Sequence, residues 1–285
     1  MPIAMNMAVI MDTRAIAMFE YDFMRMAFAA ATCVATIAGP VGYFLVLRGQ
    51  TFAGHALAHV GFAGATGAVL LGLSPITGLL ALTLLAGFGM GLLGEKLANR
   101  DVAIGFVLVA ALSLGLLFLH FYTSSATQAS ALLFGNILAI TARTLKLLAI
   151  VCALCLIVLL ATSRRLLFAS LQPELAEAKG ISIRQSAVIF MVLVALATAA
   201  CSQILGVLLV FALMVGPGAT ALRFAVSPAM GMALAAFLAL IDCWGGLVLA
   251  YVTDWPASFW ITALSLLVYG ATLLLQRRSA GHVHA

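Results

Sequence analysis

Nine apolar runs of 18 to 23 residues, separated by short polar breaks, constrain this chain more than any other feature. They cover 26–47, 55–73, 75–94, 101–119, 143–162, 184–202, 205–222, 229–251 and 257–275. A helix needs about 20 apolar residues to cross the hydrocarbon core of a bilayer. Backbone polar groups in that core must be satisfied without water, and an α-helix satisfies them within its own segment. The runs therefore predict an all-α, polytopic helical membrane protein with 8–9 transmembrane helices. Eight remains open because only Ser202 and Gln203 mark the break between the sixth and seventh runs. Segment 126–140 is too short to span, and reads as a re-entrant or surface helix beside the polar stretch 123–128.

Composition agrees with a bilayer as solvent. The chain is 65% hydrophobic and 8% charged, against about 25% charged residues in a soluble domain. Its 285 residues leave no room for a sizeable soluble domain beside the spans. Residues 1–25 carry Asp12, Arg14, Glu20, Asp22 and Arg25 and read as an N-terminal surface segment rather than a signal peptide. The spans make one domain over 26–278, followed by a tail over 279–285.

The net charge of +5 is explained by topology and not by nucleic acid. With the N-terminus outside and nine spans, the inner loops hold ten of the 14 lysines and arginines. Cytoplasmic loops carry such an excess, so this orientation is favoured, with the C-terminus in the cytoplasm. Five cysteines fall inside apolar runs, and the pair Cys152 and Cys155 reads as small buried residues more readily than as a redox or metal motif. Glycines recur at Gly61, Gly64 and Gly67 and at Gly87 and Gly91, the small-residue pattern that lets membrane helices approach closely.

The polar residues inside the spans carry the chemistry. His55 and His59 stand four apart, so a helix presents both imidazoles on one face. Two imidazoles at that spacing are a common part of a zinc-type site, and other residues would complete the shell. An imidazole ligates only when neutral, so ligation by this pair should weaken as pH falls through roughly 6.5. Ala56 stands where the H-E-x-x-H motif of metalloproteases needs its glutamate, so the pair is not read as an enzyme site. No phosphate-binding G-x-x-x-x-G-K-[ST] occurs either. Asp242, deep in the span 229–251, is a candidate for the same path or for a structural hydrogen bond. His120 at the outer end of 101–119 reads as an interfacial residue, and His282 and His284 as part of the tail.

Between the spans 143–162 and 184–202, the segment around 171–180 reads as a short cytoplasmic helix. Pro173 suits its first position. Glu174 and Glu177 favour its N-terminal end and Lys179 its C-terminal end. Gly180 suits the left-handed residue that stops it. Two turns are too short to be stable alone, so this helix is expected to dock on something.

Four stretches together resemble the membrane permeases of zinc- and manganese-type ABC importers, over about residues 38–278. The first is Gly39-Pro40-Val41-Gly42 with Leu47-Arg48 and Gly54-His55-Ala56-Leu57-Ala58-His59. The second is Leu133-Phe134-Gly135-Asn136-Ile137-Leu138-Ala139. The third is Pro173-Glu174-Leu175-Ala176 with Gly180, and the fourth is Gly206-Val207-Leu208-Leu209 with Pro217, Ala219, Thr220 and Ala221.

The resemblance implies a type II-like importer permease in a bacterial inner membrane. It implies three kinds of partner: a cytoplasmic ATP-binding-cassette ATPase that hydrolyses ATP, a periplasmic metal-binding protein, and a second permease subunit, expected to be a homodimer mate. It also implies a metal path through His55 and His59, and a coupling helix of Pro173, Glu174, Leu175, Ala176, Glu177 and Gly180. The cargo is Zn²⁺ or Mn²⁺, and no permanently bound cofactor is expected. The chain departs from the family at His55, where Asp is usual. Imidazole suits zinc and carboxylate suits manganese, so zinc is expected first. A permease for a metal chelate or vitamin, and an ATP-independent metal transporter, remain the alternatives.

Overall fold

The structure, a computed structural model, describes residues 18–93, 100–121, 133, 135, 137–207 and 209–281. Regular structure among them is helical throughout. The elements are α1 (Asp22–Leu47), α2 (Thr51–Leu70), α3 (Pro75–Leu93), α4 (Arg100–His120), α5 (Ala142–Leu171), α6 (Pro173–Ala178), α7 (Ile183–Leu205), α8 (Val210–Phe224), α9 (Pro228–Thr253) and α10 (Ala257–Gly281). Single 3-10 turns lie at Met18–Glu20 and Ile137–Ala139.

Each of the nine expected spans corresponds to one helix other than α6. Seven are long and apolar enough to cross a membrane. The remaining two are α2, which carries both histidines, and α8. With 15 residues, α8 reaches only about 22 Å, short of the ~30 Å core. The stretch that precedes it, at Gly206 and Val207, is non-helical and buried. Irregular backbone is tolerated at such depth where protein covers it.

Several boundaries differ from those read in the sequence. The break before α8 falls at Gly206 and Val207, not at Ser202 and Gln203. Ser202 sits inside α7, where its hydroxyl donates to the Thr198 carbonyl at 2.8 Å and its polarity is absorbed. Asp22 and Arg25, expected in a surface segment, form the first turn of α1 and pair with each other. At the other edge of the bundle, α5 continues nine residues past 162 to Leu171, so Arg164 and Arg165 are helical. Only part of segment 126–140 is described, and its regular portion is the Ile137–Ala139 turn, which packs against α1 and α7. The rest lies outside the described residues, as do His282 and His284.

The core is built around α1 and α7, which are buried on most sides, while α4 and α10 are buried on few. Phe44 of α1 and Phe190 of α7 meet at 6.2 Å between ring centroids. Helices in lipid gain little from hydrophobic transfer against one another, so close packing decides their association. The expected glycine contacts are present. Gly64 of α2 lies against Gly78 of α3, and Gly87 and Gly91 of α3 lie against Met191 and Val188 of α7. On α1, Gly39 packs on Ala235 of α9 and Gly42 on Met214 of α8. Large apolar side chains on α4, α5 and α10 remain exposed, among them Phe106, Ile150 and Leu266. Such faces suit lipid or a neighbouring chain. The five cysteines are free, and four of them are fully buried.

Candidate functional site

The turn at Arg48, Gly49 and Gln50 closes α1 and starts α2 at Thr51. The Gln50 backbone amide donates back to the Leu45 carbonyl at 2.9 Å, which fixes the turn between the two helices. Gly54 then rests against Leu45 of α1, with Val194 of α7 nearby. The next residue, His55, and His59 one turn later project together. Their rings meet edge to face, 4.8 Å between centroids and 87° between planes. Phe211 of α8 closes over His55 at 5.5 Å, also edge on.

His59 is buried and His55 half-buried. In both rings Nδ1 is buried and has no hydrogen-bond partner among the described residues. Buried polar atoms are almost always paired, and an exception calls for an unseen water or ion. Two neutral imidazoles give a borderline cation two nitrogen donors.

Among the described residues, no group of three or more His, Cys, Asp or Glu is placed to hold a metal ion. Asp242 is not part of such a group with the histidine pair among the described residues. It lies inside α9 at 1% exposure, next to Cys243. Neither carboxyl oxygen has a hydrogen-bond partner among the described residues. The nearby Ser265 hydroxyl of α10 is committed to the Ala212 carbonyl of α8 at 3.0 Å. An ionised carboxylate without a partner is costly there, so this position calls for a proton or a cation. His120 ends α4, exposed, with its ring 5.7 Å from Phe121. Phe211 carried no signal in the sequence, because a single phenylalanine in an apolar run does not announce which ring it will face.

The short helix α6 forms where its capping residues place it. Pro173 occupies its first turn. Gly180, at φ +79°, closes the helix with two bonds: its amide reaches the Glu177 carbonyl at 2.9 Å, and the Ile181 amide reaches the Ala176 carbonyl at 2.9 Å. This double closure is the Schellman motif, which needs a left-handed residue at that position. Lys179 lies over the Phe168 ring of α5 at 5.2 Å. Glu174, Leu175 and Glu177 face outward, while Ala176 is fully buried. Ala176 thus seats α6 on the bundle, and Leu175, at 46% exposure, is its projecting apolar residue.

Comparison with known proteins places this geometry. The chain is 28% identical over 238 residues to "Manganese transport system membrane protein MntC" of Halalkalibacterium halodurans, covering 83% of this chain and 82% of the relative. It is 28% identical over 262 residues to "High-affinity zinc uptake system membrane protein ZnuB" of Haemophilus influenzae, covering 92% of this chain and 100% of the relative. Among solved structures, "PsaBC from Streptococcus pneumoniae in complex with Fab" superposes with a TM-score of 0.82 at 27% identity, over 92% of this chain and 94% of the other. A putative metal-chelate type ABC transporter in an inward-facing conformation has the same fold, with a TM-score of 0.66 at 19% identity over 89% of this chain and 88% of the other. The model of the ABC 3 transport family matches residues 20–276, nearly the whole length, and the chain belongs to that family.

Proposed function

We propose that this chain is the membrane permease of an ABC importer carrying a divalent transition metal, Zn²⁺ ahead of Mn²⁺, across a bacterial inner membrane. The observation that carries the reading is the facing pair His55 and His59, each with a buried, unpartnered Nδ1 inside a helix of the bundle. Relatives named for manganese and for zinc support a metal cargo. Two nitrogen donors favour zinc over manganese, because imidazole suits the softer ion.

Two donors are an incomplete shell, and a second copy of the chain would supply a second pair across a homodimer interface. A periplasmic binding protein delivers the ion, and a separate cytoplasmic ATPase hydrolyses ATP. With the N-terminus outside, the Arg48 turn and α6 face the cytoplasm. The histidine pair then lies toward the inner end of α2. Pro173, Glu174, Leu175 and Glu177 meet the ATPase, while Ala176 and Gly180 hold α6 in place. Asp242 stands apart from the pair.

Radiolabelled zinc and manganese uptake tests this in cells lacking their own importers, expressing the chain with its ATPase and binding protein. Zinc uptake by the wild type, with manganese gained by His55→Asp, is the expected result. An assembled complex that moves neither metal overturns the reading and brings a chelate or vitamin cargo forward.

A further inference from the structure

A cavity of ≈ 290 Å³ opens between the inner half of α5, the turn that joins α6 to α7, and the first two turns of α7. Its size is near the lower end of ligand-holding pockets, roughly 300 Å³. Arg165 and Lys179 line it, with Ser182 and Gln185 between them, and no carboxylate does. Neither cation is paired with a carboxylate among the described residues. Contact with the Phe168 ring holds the Lys179 ammonium at this place. The N-terminal end of α7 adds partial positive charge. Thr162 also lines it; Leu166, Ile181 and Ile189 give the same cavity apolar lining, and Ile189 is exposed.

The depth of the cavity follows from helix length. Arg165 is the 24th residue of α5, about 35 Å from the start of that helix. A hydrocarbon core about 30 Å thick ends before that point. The cavity therefore lies near that boundary, with Arg165 at headgroup level and Leu166, Ile181 and Ile189 among its lining. A free anion would need only the cations. An amphiphile with an anionic head uses the cations and the apolar lining together, and basic pockets between spanning helices on the cytoplasmic side take such heads.

We propose that this cavity seats the headgroup of an anionic phospholipid of the inner leaflet, beside the coupling helix. The leaflet rests on the orientation given under Proposed function. Because Lys179 both lines the cavity and caps α6, a bound headgroup braces the element that meets the ATPase.

Native mass spectrometry of the full chain, titrated with phosphatidylglycerol or phosphatidylcholine, tests the site. The wild type should retain phosphatidylglycerol preferentially. Arg165→Gln and Lys179→Gln should each weaken that preference about fivefold. Thr162→Trp, which fills the cavity without removing a charge, should also abolish it, while Arg164→Gln, outside the lining, should keep it. Thermal midpoints measured alongside confirm folding. Equal retention of both lipids, a preference that survives the double variant, equal loss in Arg164→Gln, or displacement of the lipid by equimolar inorganic phosphate would each overturn the proposal. The readout involves neither metal nor ATPase, so failed metal uptake and failed lipid binding are separate results.

Discussion

Gly135 sits directly on Gly206, so closely that a Cβ on Gly135 would stand 2.4 Å from the Gly206 amide nitrogen and 2.3 Å from the Ile204 carbonyl oxygen. Both glycines have φ +74°. The segment before α5 thus rests on the one break that divides α7 from α8, and two irregular backbones cover each other. A positive φ costs a residue with a side chain about 1–2 kcal/mol. Gly72, at φ +70°, has open space around it. Gly72→Ala should therefore cost that strain alone, and Gly135→Ala clearly more, read as thermal midpoints of the purified chain. Equal midpoints for the two variants would show that the contact between Gly135 and Gly206 contributes nothing.

His59→Ala should remove metal uptake while leaving the complex assembled. The buried Nδ1 of His59 has no hydrogen bond to lose among the described residues, so the cost to folding is limited to a small cavity. Uptake and co-purification measured on the same membranes separate the two effects. Wild-type uptake by the variant would remove the histidine pair from the path.

Leu175 and Ala176 are neighbours with opposite exposure. Leu175 is exposed and Ala176 fully buried. Leu175→Asp should release the ATPase in co-purification while the permease itself melts within about 0.5 kcal/mol of the wild type. Ala176→Leu should overpack the seat of α6 and cost about 1–3 kcal/mol. An ATPase that stays bound to Leu175→Asp would argue against α6 as the docking helix.

How far the sequence spoke depended on whether a feature was local. The spans were legible because hydrocarbon thickness fixes their length, and α6 because Pro173 and Gly180 mark its ends without help from the rest of the chain. The spacing of His55 and His59 was legible for the same reason. The break before α8 was misplaced because Ser202 looks like a boundary, yet its hydroxyl is spent on the helix that contains it. The true break depends on Gly206 being covered by Gly135, a contact between distant parts of the chain. Asp242 was legible as costly, but whether it shares a ligand cluster with the histidines was not, since that is a matter of tertiary placement.

Metal affinity distinguishes a path role for Asp242 from a structural one. If Asp242 does not ligate the cargo together with His55 and His59, removing its charge should leave metal affinity alone. Asp242→Asn keeps the shape of the side chain, and no hydrogen-bond partner among the described residues is lost with it. Replacing this buried acid with a neutral isostere should not destabilise the fold. Ser265→Ala, by contrast, removes the bond to Ala212 and should cost about 0.5–1.5 kcal/mol. The half-saturating zinc concentration for uptake should be unchanged in Asp242→Asn and raised in His55→Ala. A matching rise in both variants would place the carboxyl on the same path as the imidazoles and would require α9 to move toward α2 during transport.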